Sequence, residues 1–80
     1  MLFRFSISHV SGLYSCYDRY LDSLADAKAW VQLLLQSWGY IQSVSLHEYL
    51  TDDACGPIKF IGTFILDGNK VINRETKEDI

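Results

Sequence analysis

The chain of 80 residues has little of several things: one proline, two cysteines, five glycines and no long hydrophobic run. Each shortage excludes a class of protein. The longest apolar run, Val31 to Leu35, is interrupted by Gln32 and is far too short to span a bilayer. The glycines stand singly, so no glycine-rich phosphate loop is present. His9, Cys16, His47 and Cys55 include no CxxC or HxxxH pair, the close spacing by which zinc sites bring thiolates and imidazoles together. Basic residues are also few and dispersed. Arg4, Arg19, Lys28, Lys59, Lys70, Arg74 and Lys77 occur singly, against ten acids, for a net charge of −3. Phosphate-backbone binding needs a basic face, so nucleic acid is a poor partner.

What is there is ordinary globular material: 49% hydrophobic and 21% charged residues, with two Trp, five Tyr and four Phe. At this length one α+β domain is expected over residues 1–80. Such a domain buries roughly 60% of its unfolded surface and has a stability of a few kcal/mol. Aromatic rings should carry much of the core. The N-terminal segment Met1–Val10 alternates and contains Arg4 and His9, unlike the continuous apolar stretch of a signal peptide. With only two cysteines, the expected setting is a reducing cytoplasm rather than one that favours a Cys16–Cys55 disulfide.

The element order reads ββαβββ, with 75–80 as a polar tail that could fray. Leu2 to Val10 places Phe3, Phe5 and Ile7 on one face and Arg4, Ser6 and Ser8 on the other, the period of a half-buried strand. Ser11-Gly12 is a turn, and Leu13 to Leu21 closes a hairpin. Its two faces, Tyr14/Cys16/Asp18/Tyr20 and Leu13/Ser15/Tyr17/Arg19/Leu21, are not separated by hydropathy. Ser23 with Asp26 three residues on is a capping-box-like start. Ala27, Trp30, Val31, Leu34 and Trp38 then recur at helical spacing, with Leu24, Leu33 and Leu35 widening the stripe. Gly39 supplies the expected stop. Tyr40 to Leu50 is a third strand with Val44 and Leu46 inward. Thr51 to Pro57 is a loop. Ile58 to Leu66, almost continuously apolar, is expected at the centre of the sheet. Asp67-Gly68-Asn69 is a hairpin turn into a short fifth strand, Lys70 to Arg74.

Candidate chemistry is sparse. Cys55 lies beside Asp52 and Asp53, which disfavour a thiolate nucleophile. Those adjacent carboxylates do not make the opposed pair of an acid/base cleft. Asp67-Gly68-Asn69 lacks the later ligands of a calcium loop. No catalytic, cofactor or metal residue is assigned. The stronger signal is one of surface. One helix can cover only one face of a sheet, so the other face must be wet or bound. Tyr14, Tyr17 and Tyr20 on one short strand, with Glu48 and the loop acids Asp52 and Asp53, are the candidate partner-binding residues. Tyrosine buries area and still hydrogen-bonds. The excess acid lies in residues 41–80, which hold seven acids and four bases, and this suits a partner with a basic surface.

Two family resemblances bear on function. The stretch Asp22-Ser23-Leu24-Ala25-Asp26-Ala27-Lys28-Ala29-Trp30 resembles the strand-to-helix junction of HicB-type antitoxin domains, although the Pro-Gly-Cys turn of that family is absent where Gly12-Leu13 leads into Tyr14. In size, acidity and single-domain architecture the chain resembles small phage-encoded inhibitors of bacterial defence, such as anti-CRISPR proteins. That resemblance implies a non-enzymatic protein that occludes a surface of a larger nucleic-acid-handling complex in the host cytoplasm. The antitoxin resemblance implies a homo-oligomeric regulatory module instead.

Overall fold

A computed structural model describes Met1–Ile80. One helix packs on one face of a five-stranded antiparallel sheet, in the expected order ββαβββ. The strands are β1 (Leu2–His9), β2 (Tyr14–Tyr20), β3 (Ile41–Tyr49), β4 (Ile58–Asp67) and β5 (Lys70–Asn73), and the helix α1 is Leu24–Ser37. Across the sheet they run β2-β1-β3-β4-β5. The middle strand is therefore β3, not β4; β4 pairs with β3 over Ile58–Phe64 and with β5 over Phe64–Asp67, and only Gly62, Thr63 and Phe64 of it are buried. Since β1 is antiparallel to both β2 and β3, those two are parallel to each other, and α1 crosses over β1 to join them.

The β1–β2 register settles the ambiguity of the second strand. Phe3, Phe5 and Ile7 are buried, and they stand opposite Arg19, Tyr17 and Ser15. Paired residues share a face, so these three point to the helix side. Tyr14, Cys16, Asp18 and Tyr20 stand opposite Ser8, Ser6, Arg4 and Leu2 and point to the other side.

The helix begins as expected. The Ser23 side chain accepts a hydrogen bond from the Asp26 N–H at 3.1 Å. It ends differently. Trp38 is the C-cap in extended conformation, donating its N–H to the Leu34 carbonyl, and Gly39 does not adopt a positive φ. Ala27, Val31, Leu34 and Leu35 are the buried helix residues. They join Phe3, Phe5, Ile7, Ile41, Val44, Leu46, Phe64 and Val71 in a single core. Each large apolar side chain there contributes about 1.5–3 kcal/mol by leaving water. The expected stripe is thus rotated. Trp30 is only partly buried at its margin, while Trp38 and Leu33 are exposed.

Two local features complete the sheet. Pairing shifts between Leu46 and His47, so that Ile61 is an extra residue on β4. The tail does not dangle in the structure. It turns back beside β5, with Asn73 N–H to the Glu78 carbonyl at 2.8 Å, Ile80 N–H to the Val71 carbonyl at 3.0 Å, and an antiparallel bridge between Ile72 and Asp79.

Candidate interaction surface

Alternation along the strands puts a second set of side chains on the face away from the helix, and the registers arrange them in rows. One row is Cys16–Ser6–Ser45–Thr63, across β2, β1, β3 and β4. The Ser45 and Thr63 hydroxyls lie 2.9 Å apart, and the Ser6 hydroxyl is 3.7 Å from the Cys16 sulfur. Ser6 and Thr63 are buried although no element lies over them. The adjacent row is Asp18–Arg4–His47–Phe60.

The second row holds a charged pair of this face. Arg4 Nε donates to Asp18 Oδ1 at 3.2 Å, and the Tyr49 hydroxyl donates to the same oxygen at 2.9 Å. The Arg4 guanidinium carbon lies 5.3 Å from the centre of the Tyr49 ring. Its hydrogen bond to Asp18 raises the Arg4 pKa, so Arg4 stays charged. Burial, helped by the bond to Asp18, raises that of the Tyr49 phenol. His47 is packed against Phe60, with ring centres 5.2 Å apart, and its Nδ1 is buried with no hydrogen-bond partner. Burial lowers its pKa, and the nearby Arg4 charge adds to the effect. The centre of the face is therefore a neutralised, hydrogen-bonded patch.

Large exposed apolar side chains ring that patch: Tyr14 is 65% exposed, Tyr20 67%, Phe60 51% and Ile58 41%. These are the aromatic and aliphatic types that anchor protein interfaces. At the Tyr20 end the loop after β3 closes in, with the Tyr20 hydroxyl donating to the Asp52 carbonyl at 3.3 Å.

Of the residues singled out from the sequence, Tyr14 and Tyr20 share this face. Tyr17 does not. It lies on the helix side, stacked on Phe5 with ring centres 5.5 Å apart, and its hydroxyl accepts the Trp30 indole N–H at 2.6 Å. Glu48 pairs with Phe3 and is also on the helix side. Asp52 is occupied within the fold. Its Oδ1 accepts the Leu2 N–H at 2.9 Å, and its Oδ2 lies 3.8 Å from the N-terminal ammonium. Asp53 Oδ1 accepts the Cys55 N–H at 2.9 Å in a local Asx turn. His47 follows from the alternation of the third strand, with Val44 and Leu46 inward; Phe60 and Ile58 were missed as surface residues, since the apolar run containing them reads as wholly buried. The signal that could have exposed them is the spacing of Phe60 and Gly62, between which the extra Ile61 switches the alternation.

Cys16 and Cys55 are both free thiols at exposed positions. No three His, Cys, Asp or Glu side chains are arranged to hold a metal ion, and no helix is long and apolar enough to cross a membrane. A comparison of the chain with protein-family models, curated proteins and solved structures gives no match.

Proposed function

We propose that this protein is a non-enzymatic binding domain whose helix-free sheet face is laid against a protein partner. The observation that carries the reading is the ring of exposed Tyr14, Tyr20, Phe60 and Ile58 around the satisfied Arg4–Asp18–Tyr49 network. Exposed aromatic and aliphatic side chains give affinity, and polar groups already paired beside them fix orientation without leaving an orphaned charge on binding. The concrete form of the proposal is a phage-derived inhibitor of the anti-CRISPR type, which occludes a surface of a host complex that handles nucleic acid. Small size and a net charge of −3 support that form, because such a complex presents basic surface. Acids at the rim would act chiefly on association rate.

The test is affinity capture from a bacterial lysate, with the captured protein identified by mass spectrometry and its affinity then measured with purified material. Tyr14→Ala, Tyr20→Ala and Phe60→Ala should each weaken that complex by about tenfold or more. Leu33→Ala, on the exposed side of the helix, should leave it unchanged. Equal binding by all four variants would overturn the assignment of the face.

A further inference from the structure

The two edges of the sheet differ. The tail occupies the β5 edge, through the Asn73–Glu78 and Ile80–Val71 backbone bonds. Nothing occupies the β2 edge. It runs for seven residues without proline, glycine or bulge, and six of the seven are exposed.

The direction of its backbone groups follows from the bonds to β1. Met1 and Leu21 exchange both N–H···O bonds, each at 2.9 Å, and the His9 N–H donates to the Leu13 carbonyl at 2.8 Å. In an antiparallel pair such two-bond positions alternate. Residues 13, 15, 17, 19 and 21 therefore turn their backbone groups toward β1. Tyr14, Cys16, Asp18 and Tyr20 turn theirs outward, unpaired.

We propose that this edge pairs with the β2 edge of a second copy of the chain, antiparallel about a two-fold axis at Tyr17. Among registers that join outward residue to outward residue, this one alone pairs all four. Tyr14 then meets Tyr20 of the other copy, and Cys16 meets Asp18. Both contacts lie on the helix-free face, and each is made twice by symmetry. Tyr–Tyr cross-strand pairs are among the favourable ones. A shift of two residues one way sets Asp18 against its own copy. A shift the other way leaves Tyr20 without a partner. The Asp18 charge that reaches the junction is already neutralised by Arg4 at 3.2 Å. The dimer has one continuous sheet of ten strands, five from each copy, and the two helix-free faces become a single surface.

The native chain tests this by itself. Sedimentation equilibrium from micromolar to millimolar concentration should show a monomer–dimer equilibrium. Amide hydrogen exchange followed by NMR should show parity. The N–H groups of Tyr14, Cys16, Asp18 and Tyr20 should slow by about tenfold or more as the dimer forms. Those of Ser15, Tyr17 and Arg19 should be slow at every concentration. A monomer throughout would overturn the proposal, and so would a dimer whose even-numbered amides exchange at the monomer rate. Cys16→Pro removes one outward N–H, no backbone bond to β1 and only the weak Cys16–Ser6 side-chain contact, so a folded variant should associate more weakly. Undiminished association of that folded variant would likewise overturn it. Loss of the partner binding proposed above would not bear on these measurements, which use no partner.

Discussion

Trp30 and Tyr17 hold the helix to the edge strand: the indole N–H donates to the phenol oxygen at 2.6 Å, and no other hydrogen bond ties a helix side chain to the sheet's strands. Arg19, two residues along β2, lies over the same indole with its guanidinium carbon 4.1 Å from the ring centre. Tyr17→Phe keeps the ring on Phe5 but leaves a partly buried indole N–H without its acceptor. The expected cost is about 1 kcal/mol in urea unfolding, the lower end of the range for an orphaned donor. Adding Trp30→Phe removes the donor as well. The double variant should lose less than the sum of the two single losses, and strict additivity would show that the bond contributes nothing.

Gly62 is fixed by a neighbour. A Cβ at this position would lie 2.5 Å from Asn73 Nδ2. The Asn73 side chain cannot simply swing aside, because its Oδ1 accepts the Glu75 N–H at 2.9 Å and the Thr76 N–H at 3.3 Å. Gly62→Ala should destabilise the protein by about 1–3 kcal/mol, as overpacking does, with the damage concentrated in the tail. Limited trypsin digestion reads this directly. Cleavage after Arg74 and Lys77 should accelerate in the variant before global unfolding does. A tail as resistant as in the native chain would contradict the account.

Asp52 has φ +53°, a left-handed conformation that Asn tolerates and Ala does not. Asp52→Asn keeps an acceptor for the Leu2 N–H and loses only the exposed pair with the N-terminal ammonium. It should cost about 0.5 kcal/mol or less. Asp52→Ala loses the acceptor and adds backbone strain, for about 1–2 kcal/mol. Denaturant midpoints separate the cases. Equal losses for Asn and Ala would mean that charge, not geometry, holds the N-terminus.

His47 gives the fold a pH dependence. Its pKa in the folded chain lies below the ordinary 6.5, because burial disfavours the imidazolium and Arg4 repels it. Between the lowered value and 6.5 the unfolded chain binds a proton that the folded chain does not. Stability therefore falls as pH drops through that window and is insensitive to this group above it. Thermal melts should show Tm declining once the pH passes below about 6.5. The decline should be smaller in His47→Gln, and an equal decline there would assign it to other groups.

Much of this fold is legible in the sequence, and the rest fails for identifiable reasons. Phe3, Phe5 and Ile7 alternate strictly, so β1 is plain. Ser23 caps its helix, and Gly68 carries the positive φ that its two-residue turn requires. The faces of β2 are not legible, since both carry tyrosine. They are set by a partner strand, through the pairing of Phe5 with Tyr17. The helix stripe reads one step askew. Leu33 and Leu35 have equal hydropathy, but only Leu35 meets the sheet. For the surface, Tyr14 and Tyr20 follow from alternation once that pairing is known. Phe60 does not, because the extra Ile61 interrupts the alternation on β4. The roles of Asp52 depend on a contact fifty positions away in the chain, which no local pattern carries.

The returning tail has one more consequence. A strand edge offers the same unsatisfied backbone groups to any chain that approaches, so a sheet with two such edges can add neighbours without limit and grow into a fibre. Here the segment after Asn73 covers the β5 edge, and the unpaired backbone on that side is confined to the short stretch of β4 from Ile58 to Gly62. Six residues that look dispensable in the sequence thus take up backbone groups of β5 that would otherwise be open to another chain. A chain cut after Arg74 would be expected to associate more readily than the full chain, because the backbone groups of β5 are then uncovered.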